Sequence, residues 1–105
     1  MRPEFEVNFI HATEEGIAVS GRNCGTSIRL GDIFDRVYHG TPTKDEASDY
    51  SDMIHFDERP ASLKVTAIEV YGRWSDEISE GMTGLLHLVG TGADGLRTFD
   101  YLTIS

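Results

Sequence analysis

A second cysteine is missing, and with it any internal disulfide, because Cys24 is the chain's only one. A lone thiol behind a Met1-Arg2-Pro3-Glu4 start with no leader pattern fits a reducing cytosol. Long apolar runs are missing too. Nothing approaches the ~20 residues of a membrane span, so no membrane partner is expected. Basic residues are scarce: nine Lys and Arg stand against eighteen Asp and Glu, a net charge of -9. Such a surface repels phosphate backbones, which argues against direct nucleic-acid binding, and attracts a basic protein. No Gly-x-x-x-x-Gly-Lys-(Ser/Thr) occurs, so no phosphate-binding loop and no cofactor is implied. No stretch carries a convincing helical period.

What remains is a succession of short alternating segments punctuated by glycine. In 105 residues there is room for one domain. Glu4 to Ala12 alternates, with Phe5, Val7 and Phe9 on one face and Glu4, Glu6 and Asn8 on the other. Thr13-Glu14-Glu15-Gly16 leads into Ile17 to Arg22, so the first two strands form a hairpin. Gly25 and Gly31 fall where the backbone must reverse, and glycine enters positive φ without steric cost. Ile28-Arg29-Leu30 is a short pairing segment, and Ile33 to Tyr38 a third strand. Ser62 to Gly72 is a long strand. Its inward set switches from Leu63, Val65 and Ala67 to Ile68 and Val70, which predicts a bulge near Ala67. Arg73 to Glu80 reads as a polar crossover. Thr83 to Gly90 and Leu96 to Ile104 are the last two strands. Six or seven strands at this spacing predict an all-β antiparallel barrel, a single domain over residues 1–105.

Residues 39–60 break the rhythm. This polar, acidic insertion runs from His39-Gly40-Thr41-Pro42 through Tyr50, and Pro60 is expected to end it. A connection of that length is usually functional or mobile. Met53-Ile54-His55-Phe56 reads as a short edge strand or an apolar flap.

Several of these features, taken together, resemble the second domain of translational GTPases, the β-barrel that follows the G domain in elongation factor Tu. Val19-Ser20-Gly21-Arg22, then Gly25, then Ile28-Arg29-Leu30-Gly31-Asp32 match the family's strand, turn and Ile-x-x-Gly-Asp turn. Val65-Thr66-Ala67-Ile68 is similar to a later Val-x-x-Ile strand, and Ile78-Ser79-Glu80-Gly81 to the segment before the next one. The resemblance implies the barrel fold over about four fifths of the chain. One departure lies near the end. The family places Gly-Asp or Gly-Gln shortly before the last apolar pair, where this chain has Thr98-Phe99-Asp100-Tyr101-Leu102. In the elongation factor this barrel helps hold the aminoacyl end of tRNA near its third and fourth strands. That region here is the acidic insertion, so no binding residue carries over.

The candidate chemistry is sparse. His11, His39, His55 and His87 are scattered, so no metal site is assigned, although Asp52, Asp57 and Glu58 flank His55. Cys24 has no histidine near it in sequence and reads as a passive turn cysteine. No catalytic residue is assigned. Arg73 and Trp74, beside Tyr71, are the residue types that anchor interfaces; the plainer alternative has Trp74 covering an open barrel end. Tyr50, Met53, Ile54 and Phe56 form a second candidate contact patch. The expected function is a free-standing, non-catalytic protein-binding module, with an immunity-type inhibitor of a cationic nuclease as one version. The alternatives are a small ligand- or cation-binding protein or enzyme that uses the barrel end and His55, and a ribosome-associated accessory protein.

Overall fold

A computed structural model describes residues 2–42 and 53–105, with side chains described outside 40–57. Nine strands follow one another: β1 (Glu4–Ala12), β2 (Ile17–Asn23), β3 (Ile28–Arg29), β4 (Ile33–Pro42), β5 (Met53–Val70), β6 (Arg73–Ser75), β7 (Glu77–Ile78), β8 (Thr83–Thr91) and β9 (Asp100–Thr103). The large sheet runs β4-β9-β1-β2-β8-β5-β6, and β4 also pairs with β5. That last pairing closes six strands into an antiparallel barrel and leaves β6 as an extra strand outside the ring. Closure removes the unpaired edges that a six-strand open sheet would present. A separate two-stranded sheet joins β3 to β7.

Alternation builds the core. Phe5 and Val7 of β1, Val19 of β2, Phe34 and Val37 of β4, Leu63, Val65 and Ile68 of β5, Leu86 and Leu88 of β8 and Leu102 of β9 all point inward. Each such side chain, once fully buried, contributes about 2 kcal/mol. Ile28 and Ile78, paired across β3 and β7, join the same cluster. A Cβ added at Gly84 would meet Ile78 Cδ1 at 2.9 Å, so this small sheet sits hard against the barrel.

Two register shifts change what the pattern buries. Between Val65 and Ala67 the β5–β8 pairing slips, the bulge expected from the phase change there. A second slip, between Val7 and Phe9 in β1–β2, was not legible. It turns Phe9 outward, 67% exposed, and lets Ile10 pack against the core instead.

The glycine turns hold for different reasons. Gly31 has φ 89°, as expected of a reversal, and the Asp32 carboxylate closes the turn by accepting from the Arg29 N–H at 2.9 Å. Gly25 is not at positive φ. A Cβ there would lie 2.2 Å from the Arg2 carbonyl oxygen, so close approach of the chain start is what demands glycine.

The 39–60 region differs from the expected loop. His39–Pro42 pairs with Met53–Phe56, so β4 and β5 run on as a two-stranded arm beyond the barrel. Pro60 does not end a segment. It lies inside β5 opposite Arg36, beside a register slip between Phe34 and Arg36, where a missing N–H costs little. The final strand is shorter than expected, because Leu96 and Phe99 belong to turns and only Asp100–Thr103 pairs.

Candidate functional site

The one predicted contact pair that the described side chains include is Arg73 and Trp74. The long strand β5 ends at Val70 and folds back on itself through Tyr71-Gly72, with Val70 opposite Arg73 and Glu69 opposite Trp74. Both turn residues have positive φ, 53° and 75°, the signature of a type I′ hairpin. Alternation then puts Trp74 and Glu69 on one face and Arg73 on the other.

That face is the outside of the barrel. Glu69 lies opposite Leu85 of β8, and Leu85 opposite Ser20 of β2, while the neighbouring row sets Ala67, His87 and Ala18 side by side. Trp74 is 70% exposed. It does not cover a barrel end. Its indole lies over the His87 imidazole, with centroids 5.7 Å apart and planes at 49°. Ile28 and Ile78 are fully buried in the core, whereas the indole stands on the edge strand β6. His87 Nε2 stands 3.6 Å from Glu69 Oε2, too far for a hydrogen bond but within ion-pair reach if the ring is charged.

Three shallow hollows adjoin this face. One, of about 310 Å3, lies between Glu14, Glu15, Thr66 and His87. A second, about 430 Å3, is walled by Trp74, Leu30, Ile68 and Asp76. The third, about 350 Å3, lies at the hairpin tip between Tyr71, Glu69, Leu85, Ser20 and Thr83. None of the three is lined by a lysine or arginine, and His87 is the one imidazole among the lining residues. The surroundings of the indole are therefore aromatic and acidic.

Elsewhere the polar groups are tied up in structure. Asp100 is fully buried, and its carboxylate meets His39 Nδ1 and Arg59 Nη2, each at 2.9 Å, and accepts from the Arg97 N–H at 3.0 Å. These contacts pin the base of the β4–β5 arm to the start of β9. Phe99, just before Asp100, has φ 71° and is 55% exposed. The departure from the family's glycine therefore falls on a residue whose backbone has the conformation that glycine favours. Tyr38 and Tyr101 stack at 5.3 Å, and their hydroxyls donate to Glu4 and Glu6 respectively. Burial, together with the Glu6 carboxylate, pushes the Tyr101 phenol up. Cys24 is pushed up as well, by burial of its thiol and then by Glu6, which takes it away from thiolate chemistry.

The other expected contacts cannot be placed. Tyr50 lies outside the described residues. Met53, Ile54 and Phe56 fall on the β5 arm, but their side chains, like that of His55, lie outside the described ones. Among the described residues no three His, Cys, Asp or Glu side chains come together as a metal cluster would. No helix among them is long and apolar enough to cross a membrane.

The closed six-strand antiparallel ring, with Gly21-Arg22 inside β2 and a turn at Gly31-Asp32, has the barrel fold of translation factors, as the motifs implied. Among solved structures, the translation elongation factor SelB of Methanococcus maripaludis, in its apo form, is similar over 98% of this chain with a TM-score of 0.69. Identity is 14%, and the match spans 19% of that protein, so the likeness is one of fold. No family model and no curated protein matches the sequence. The chain thus has a translation-factor-like barrel fold.

Proposed function

We propose that this barrel is a non-catalytic module that binds a protein partner, basic in charge, through the Trp74 hairpin and the acidic face around it. The carrying observation is the indole itself: a tryptophan 70% exposed on a strand outside the closed ring. Exposed Trp and Arg supply most of the energy at many interfaces, and an acidic surround steers a cationic partner to them. A net charge of -9 adds long-range attraction of the same sign. The narrowest form of this reading is an inhibitor seated on a cationic nuclease. A cytosolic setting fits the single free thiol of Cys24.

The test is site-specific crosslinking. A photoreactive residue replacing Thr83, which lines the hollow at the hairpin tip, should capture a basic protein in extracts of the native host, and one replacing Lys64 on the far part of β5 should not. The capture should fade as salt is raised from about 50 to 300 mM, because the steering charges are exposed. Equal capture from both positions, or capture that survives Trp74→Ala, would overturn the proposal.

A further inference from the structure

Two non-glycine residues among those described have positive φ, Tyr71 and Phe99, and both are exposed aromatics. At Tyr71 the exposure reaches 87%. A type I′ turn favours Asn-Gly, since asparagine tolerates the left-handed region far better than a bulky ring. The chain instead holds a tyrosine there, in a strained conformation and in contact with almost nothing. Strain of this kind persists at places where a side chain is needed for contact.

The surroundings say what that contact would be. Tyr71 walls the 350 Å3 hollow, Leu85 and Ser20 line it, and Glu69 brings a carboxylate to it. Trp74 stands directly opposite Glu69 on the same face. Arg22, the cross-strand partner of Thr83, lines a separate hollow with Cys24 and Glu80. An apolar floor, a carboxylate and the Tyr71 ring, with the Trp74 indole across Glu69 and no base in the lining, match a long side chain with a flat cationic head. The stem lies on Leu85, the guanidinium meets the Glu69 carboxylate and a ring face takes the cation.

We infer that the hollow beside the Tyr71-Gly72 turn takes an arginine side chain of the partner protein. The inference rests on the protein-binding reading and names the chemistry of its central contact.

The probe is a glycine- and serine-spaced octapeptide carrying two arginines, compared with a twin carrying citrulline, which keeps shape and loses charge. The arginine peptide should bind at least tenfold more tightly. Trp74→Ala and Glu69→Gln should each weaken it about tenfold. Glu80→Gln, which removes the same charge from a different hollow, should change it less than twofold. Tyr71→Asn is the sharpest variant, because it supplies the favoured turn residue and so cannot fail by unfolding. It should raise Tm by about 2–5 °C while weakening the peptide severalfold. Three outcomes would overturn the inference: equal binding of the citrulline twin, equal effects of Glu69→Gln and Glu80→Gln, or no binding at millimolar peptide. If Trp74-dependent crosslinking from position 83 survives any of these, the arginine assignment alone has failed. If that crosslinking is also lost, the protein-binding reading fails with it.

Discussion

Two turns of this barrel each force an exposed aromatic into a left-handed backbone, yet they hold it there by different means. Around Phe99 the restraint is a buried charge. Asp100 is fully buried and is met by His39, Arg59 and the Arg97 N–H, and the Phe99 N–H itself donates to the Val7 carbonyl at 2.8 Å. Around Tyr71 no such clamp exists among the described contacts. The two-residue connection from β5 to β6 is itself what demands positive φ, and tyrosine meets that demand poorly. Strain at Phe99 is thus a by-product of a structural joint. Strain at Tyr71 follows from the choice of residue, and an exposed ring beside an acidic hollow is what that choice provides.

The largest test of the difference breaks the clamp. Asp100→Ala removes the buried carboxylate that His39, Arg59 and the Arg97 N–H share at the foot of the arm and should cost about 3 kcal/mol, the usual scale for removing one member of a buried pair. Urea denaturation should show the midpoint falling sharply, and hydrogen exchange should quicken in β4 and β9 while the Tyr71 hairpin keeps its protection. Uniform loosening of both turns would abolish the distinction.

Next in size is a turn that is clamped without any strained aromatic. Asn23 is fully buried. Its Nδ2 donates to the carbonyls of Thr26 and Ile78 at 3.0 and 2.9 Å, and its Oδ1 accepts from the Gly25 N–H at 3.0 Å. Asn23→Ala removes the side-chain partner of three backbone groups and should cost about 2 kcal/mol. Peptide binding at the Trp74 face should be unchanged, which separates a stability joint from a contact surface.

How much of this could be read beforehand follows from the same contrast. Phe5 and Val7, Gly31 with Asp32, and the slip near Ala67 were legible because a half-buried strand leaves its period in the sequence. Phe9 was not, since a slip between Val7 and Phe9 leaves the composition untouched and reverses the facing. Met53–Phe56 read only as a short edge strand or a flap within an insertion, because these residues pair with β4 alone, so no second neighbour imposes a period on them. Trp74 was recognised as notable but given two roles. Its position over His87 depends on the pairing of β8 with β5, a long-range fact that no local pattern carries.

Alkaline pH probes the seam between β4 and β9. The Tyr101 phenol is held above its ordinary value in the folded state, so between about pH 10 and that raised value the unfolded chain gives up a proton that the native one keeps. Stability should therefore be intact below pH 10 and fall as pH rises beyond it, by about 1 kcal/mol per unit. Tyr101→Phe should flatten that slope. An unchanged slope in Tyr101→Phe would show that the buried seam is not what alkali attacks.

The smallest effect bears most directly on whether Phe99 is a by-product. Glycine at that position relieves the left-handed strain but leaves the unfolded chain freer, whereas alanine keeps the strain and loses the same ring contacts. Phe99→Gly should consequently be the more stable of the two, by about 0.8 kcal/mol or a few degrees in Tm. Neither change should alter binding of the arginine peptide, because Phe99 lines none of the three hollows at the Trp74 face. If Phe99→Gly instead weakened that peptide as Tyr71→Asn does, both strained rings would belong to one contact surface, and the asymmetry between clamp and choice would be gone.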